Sequence, residues 1–210
     1  MERLQPNRKV FIPQEESSVM NLELRFLLLI SALSLFAGGL FGPIYAVFVE
    51  EIGGDMLTAG VAYSFYAIAA GVLIYLISNW EDHVKHKEKL LVIGYSIGAV
   101  GFLGYFFVSN AIDLFLVQIV FGIAEAIRIP AYDGLYSKNL DKGKYTSEWG
   151  AWEAMAYIII GISAIVGGYL ATVYGFKILF ALMFVMSLLA VLVSAKLFMD
   201  TSKKKSKRIK

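Results

Sequence analysis

The sequence predicts an all-α, polytopic membrane protein with six transmembrane helices arranged as two inverted three-helix repeats. Three observations carry this. The apolar residues, 58% of a 210-residue chain, fall in six long blocks, and most of the charged residues, 17% of the chain, lie between them. The blocks are continuous rather than the short alternating segments of about 10 residues that barrel strands show. Lysine and arginine crowd one side of the expected membrane. A soluble domain is closer to half apolar and a quarter charged.

A helix needs about 20 mostly apolar residues to cross roughly 30 Å of hydrocarbon. Residues 1–24 form an expected cytoplasmic N-terminal tail with no cleavable signal peptide. The first repeat, 25–108, holds spans 26–49, 56–78 and 90–108, none with a charge. The second, 109–196, holds spans 114–132, 150–174 and 178–195, followed by a basic tail over 197–210. Spans 114–132 and 150–174 are the exceptions among the six: the first carries Glu125 and Arg128 inside its apolar run, and the second carries Glu153 near its start. Helices satisfy every backbone hydrogen bond internally, which hydrocarbon demands.

Orientation follows from the bases, which collect in cytoplasmic loops. Eighteen of the 19 Lys and Arg residues lie before span 1, between spans 2 and 3, from the end of span 4 to span 5, or after span 6. Lys177 alone falls on the other side, with Glu50, Glu51, Asp55 and Asp113. Both termini are therefore expected in the cytoplasm, in a multi-pass protein of the plasma or inner membrane. Trp80, Trp149 and Tyr174 sit near span ends, where interfacial anchors belong. The tail 203–210 reads as a topology signal or as a binder of anionic head groups. The absence of cysteine leaves the redox compartment unread.

The repeat rests on three matches. Pro43-Ile44-Tyr45 returns as Pro130-Ala131-Tyr132, Gly60 and Gly71 as Gly150 and Gly161, and Lys89-Leu90-Leu91 as Lys177-Ile178-Leu179, at offsets of 87, 90 and 88. Span 1 runs outward and span 4 inward, so the repeats are inverted, as in many transporters.

With these landmarks the chain resembles the N-terminal half of a major facilitator superfamily transporter, from about Leu24 to Lys196. Ser78-Asn79-Trp80-Glu81-Asp82-His83-Val84-Lys85-His86-Lys87 occupies the place of the family's loop between spans 2 and 3. It keeps the Asp and trailing bases but replaces both glycines, with Ser78 and Lys85. Phe121-Gly122 through Pro130-Ala131 is similar to the family's glycine-containing fourth helix. Gly161 through Gly168, then Tyr174-Gly175-Phe176, resembles its fifth. Gln118 stands where many proton-coupled antiporters of the family have Arg. Family members usually have twelve spans around a central cavity. The resemblance therefore implies a half-transporter that works as a homodimer or with a complementary half, or else an inactive fragment.

Ionisable residues inside a membrane point to function. Glu125 lies 12 residues from Asp113, or about 18 Å along a helix, just past the midplane. Arg128 is one turn further, within pairing reach. Gln118, Glu125 and Tyr132 are spaced seven apart and are expected to share a face. This stripe reads as the wall of a water-filled cavity in which Glu125 binds a proton or cationic solute. The alternative is a structural ion pair with Arg128 snorkelling. Span 1 has a second stripe, Ser31, Ser34, Gly38, Gly42 and Tyr45, bent at Gly42-Pro43. It reads as cavity lining, which the resemblance supports, or as close packing through Gly38-x-x-x-Gly42. Gly94, Gly98 and Gly101, and Gly161, Ala164 and Gly168, read as packing faces. The resemblance further implies a cytoplasmic gate of Asp82, Lys85, Lys87, Asp133 and Glu153, against the alternative of a solvated loop.

The function expected is secondary-active, alternating-access transport of a small solute, with a non-transporting scaffold as the rival. No enzyme, cofactor, metal or nucleic-acid partner is expected. Gly94-Tyr95-Ser96-Ile97-Gly98 spells a hydrolase elbow but lacks the strand–turn–helix context. Glu81, Asp82, His83 and His86 lack ligand spacing. No phosphate-binding loop suggests ATP drive.

Overall fold

The computed structural model describes residues 20–209, with side chains through Lys203. The tail residues 1–19 and the side chains of 204–210 lie outside the described residues. The described chain is helical throughout, without strands: α1 (Leu22–Gly39), α2 (Tyr45–Glu51), α3 (Met56–Asp82), α4 (Lys87–Gly104), α5 (Ala111–Asn139), α6 (Tyr145–Tyr174) and α7 (Phe176–Ile209). Short 3-10 turns fill Gly42–Ile44 and Tyr105–Phe107. As far as Ile209, the expected basic tail is thus a helical extension of α7.

The first span is α1 and α2 together. Pro43 has no N–H to give and its ring clashes with the preceding turn, so the helix breaks between Gly39 and Tyr45 and resumes. Asn21, Asp55 and Asn110 cap α1, α3 and α5, each accepting from backbone N–H groups of the first turn. The Asp55 carboxyl is held below its usual range by hydrogen bonds from the Thr58 hydroxyl and backbone. Gly175, at φ +79°, joins α6 to α7 through one residue, a conformation that side chains beyond hydrogen disfavour.

Among the described residues, five helical segments are long and apolar enough to cross a bilayer: Leu22–Glu51, Met56–Asp82, Lys87–Phe107, Tyr145–Tyr174 and Phe176–Lys203. At 29 residues, or about 43 Å, α5 is long enough as well but carries more charge. It packs between α3 and α4, so Gln118, Glu125 and Arg128 within its apolar stretch are largely enclosed by protein. By contrast Val61, Phe65, Ile68, Val72 and Leu76 on α3 stand exposed, as a lipid-facing surface requires and a soluble one avoids.

The packing does not follow chain order. One group is α3, α5 and α4; the other is α6, α1 and α7; α4 against α7 joins them. Each expected repeat therefore lends its first span to the other group. Two cores result. Near the α3–α4 and α5–α6 loops, Leu24, Leu27, Leu91, Tyr132 and Tyr136 are buried together. Trp149 packs on Tyr136 at 4.6 Å between centroids, so it is core as much as interfacial anchor. Toward the opposite end, Phe41 meets the rings of Tyr45, Phe48, Tyr105, Phe176 and Phe180 at 5.0–6.1 Å.

Glycines set the close approaches. A Cβ on Gly94 would lie 2.7 Å from the Arg128 Cβ and 3.0 Å from the Ala124 carbonyl, so α4 meets α5 nearly backbone to backbone. Gly98 makes only an ordinary contact, and Gly101 abuts the Phe121 ring. On α6 the expected packing glycines are displaced by register. Gly161 and Gly168 face open space, while Gly167 presses on the Leu40 carbonyl and Ser163 on Gly39.

Candidate functional site

A cavity of about 590 Å³ lies between the two packed groups. Helix α5 supplies both charged side chains of its wall and its one amide. Gln118, Glu125 and Arg128 line it, with Tyr45 from α2 and Ser34, Gly38 and Gly42 from the first span. Four of the five residues expected to bind solute or proton therefore meet here.

Tyr132 is not among the lining residues. It is buried, donates from its hydroxyl to the Leu27 carbonyl at 3.1 Å and stacks on Tyr136. A seven-residue spacing drifts by about 20° per heptad on a straight helix, and Pro130 within α5 perturbs the turn before it. Two heptads carry Tyr132 off the Gln118 face and against α1.

The Arg128 guanidinium pairs with the Glu125 carboxylate one turn away. Their side chains are 23% and 15% exposed, so the pair is mostly removed from bulk water. The Arg128 Cζ also sits 5.2 Å from the Tyr95 ring centroid, a cation–π distance. Further along α5, the Gln118 amide donates to the hydroxyls of Tyr45 at 3.0 Å and Tyr105 at 3.1 Å. That network ties the broken first span to α5 and to the end of α4. Both polar centres face a wall that includes Tyr66, Phe102 and Phe121.

Four residues of the span 1 stripe, Ser34, Gly38, Gly42 and Tyr45, border the cavity. A Cβ on Gly38 or Gly42 meets nothing within 4 Å, so among the described residues neither glycine packs closely against a neighbouring helix. Ser31, at the end of the stripe, instead accepts from the Trp152 indole at 3.2 Å. Sequence reasoning missed Tyr66, Tyr95, Tyr105 and Phe121. The three tyrosines signalled only by a hydroxyl deep in an apolar segment, which core tyrosines share, and Phe121 by nothing that sets it apart from a core residue.

At the α3–α4 loop, Lys87 and Asp82 pair at 3.0 Å. Lys87 also reaches along α5, its Nζ 3.8 Å from where a Gly134 Cβ would stand. Asp133 and Glu153 form no ion pair among the described residues, and Glu153 is exposed. The five expected gate residues are thus not assembled into one network. Ser96 of the hydrolase-like string lies within α4 and donates to the Val92 carbonyl at 2.7 Å, an ordinary intrahelical bond.

Residues 27–210 match the Major Facilitator Superfamily. The chain is 26% identical over 156 residues to an uncharacterised MFS-type transporter of Methanocaldococcus jannaschii, a stretch covering 74% of this chain and 40% of that protein. It is 21% identical over 145 residues to an uncharacterised MFS-type transporter of Bacillus subtilis, covering 69% of this chain and 88% of that protein. The matched stretch thus spans under half of the archaeal relative.

Proposed function

This chain belongs to the Major Facilitator Superfamily, and on that premise we propose that it carries a small solute across a cell membrane by alternating access, with a proton as the coupling ion. The observation that carries the reading is the Glu125–Arg128 pair on the wall of the cavity. A pair placed only for structure has no need of a cavity beside it. A carboxylate there exchanges a proton for its guanidinium partner, and the two states differ in charge. Such a difference lets a proton gradient bias which side the cavity opens to.

The unit that moves is a pair of six-helix halves, either two copies of this chain or this chain with a complementary half. Gly60 and Gly71 on α3 and Gly150 and Gly161 on α6 face open space. These two helices flank the cavity and offer small-residue faces that a second half can approach closely. Both ends of the chain lie in the cytoplasm in this scheme, with the Asp82–Lys87 pair at the inner gate and the two sequence repeats inverted in the bilayer.

The test is uptake into proteoliposomes under an imposed pH gradient. Glu125→Gln is expected to abolish the pH-dependent component while the protein keeps its elution profile and helicity. Uptake that keeps its pH dependence in that variant removes Glu125 from coupling. A chain that transports nothing, alone or with its partner half, leaves a membrane scaffold as the better reading.

A further inference from the structure

The cavity wall holds one carboxylate and one guanidinium, and they neutralise each other across one turn of α5. The wall therefore has no net charge to attract a simple ion. A ligand with a single positive charge that drew Glu125 away would strand Arg128. A single negative charge on Arg128 would strand Glu125. An unpaired charge is far more unfavourable in a partly dry cleft than in water. A ligand carrying both charges on neighbouring atoms meets both residues at once. Its ammonium faces Glu125, its carboxylate faces Arg128, and the charge-assisted hydrogen bonds replace those that were broken.

Two further features fit that ligand. Tyr95 lines the cavity beneath the guanidinium, and among the described residues its buried hydroxyl proton has no acceptor. A carboxylate seated on Arg128 brings it an acceptor. The space beyond the pair is bordered by Tyr66, Phe102 and Phe121, with Gly38 and Gly42 leaving room opposite. That volume suits an apolar side chain. At the other polar centre the amide N–H group of Gln118 is already engaged by the hydroxyls of Tyr45 and Tyr105.

We infer that the solute is a zwitterion with adjacent ammonium and carboxylate groups and an apolar side chain, of the α-amino acid kind, whose head group inserts into the Glu125–Arg128 pair. The inference rests on the transport reading above and names its substrate class.

The chain has no cysteine, so a single Ser34→Cys variant in nanodiscs reports on the cavity through its rate of maleimide labelling. Phenylalanine and leucine are expected to slow labelling several-fold. Phenethylamine, 3-phenylpropionate and glucose at the same concentration are expected to leave it unchanged. The protection should vanish in the Glu125→Gln, Arg128→Gln double variant, which keeps the cavity neutral and guards against misfolding. It should weaken in Gly38→Phe, which fills the space and leaves both charges. Protection by the amine, the acid or the sugar equal to that by the amino acids overturns the inference. So does protection that survives the double variant, or fast labelling that neither amino acid slows. Labelling that is slow without any ligand means the cavity is closed to water, and it is the transport reading that then fails.

Discussion

Glu125–Arg128 and Asp82–Lys87 are both acid–base pairs, one within a helix and one across a loop, yet their surroundings differ. Asp82 is 78% exposed in its side chain and Lys87 24%, at the end of α3 where the chain turns into α4. Glu125 and Arg128 are 15% and 23% exposed, between packed helices. Water solvates the Asp82 carboxylate whether or not it touches Lys87, although Lys87 itself is as enclosed as Arg128. In the Glu125–Arg128 pair, each ion depends on the other, and Arg128 also on the Tyr95 ring. The comparison teaches that an ion pair's identity says little about its worth, and the solvent around it says most.

The largest expected effect comes from removing one partner of the inner pair. Arg128→Gln leaves the Glu125 carboxylate without its guanidinium, and breaking a buried pair this way typically destabilises by about 3–5 kcal/mol. Adding Glu125→Gln removes the stranded charge, so the double variant should recover most of that loss. Thermal unfolding of the three variants in one detergent gives the cycle. A double variant no more stable than Arg128→Gln alone would mean that the two residues do not depend on each other.

A smaller pair of effects separates the packed side of this site from its open side. Gly94→Ala pushes a methyl into the α4–α5 contact, 2.7 Å from the Arg128 Cβ, where overpacking typically costs about 1–3 kcal/mol. Gly38→Ala enters open space on a helix, where Ala is favoured over Gly by roughly 0.5–1 kcal/mol. The two substitutions should shift the melting temperature in opposite directions. Shifts of the same sign and size would put Gly38 in a contact after all.

That contrast also marks how far the sequence could be read. The bilayer forces long apolar runs, so the helices were legible one by one, and even α5 showed through its charges by its length. Which helices pack together was not legible, because lipid-facing and helix-facing apolar surfaces use the same residues. Nothing local in Gly38 and Gly94 tells that one borders a cavity and the other a helix. Glu125 and Arg128 were legible because charge in an apolar run has few explanations. Tyr132 was misplaced because a heptad only approximates the helical repeat. Tyr95 and Tyr105 joined the site through contacts between distant segments, for which spacing along one helix gives no sign.

The smallest stability effect belongs to the outer of the two comparisons, Asp82–Lys87. Its carboxylate is mostly in water, so Asp82→Asn should change stability by less than about 1 kcal/mol and by less still at high salt. If the pair serves as a gate, its role lies in the balance between conformations rather than in folding. A stability change too small to measure can still alter a two-state equilibrium several-fold, since about 1.4 kcal/mol is a factor of ten. Asp82→Asn should therefore leave the melting curve nearly unchanged while raising the labelling rate of a cysteine placed at Gly134, beside Lys87. An unchanged labelling rate together with an unchanged melting curve would make the loop an ordinary solvated connection, and would leave the pair inside the cavity as the one that matters.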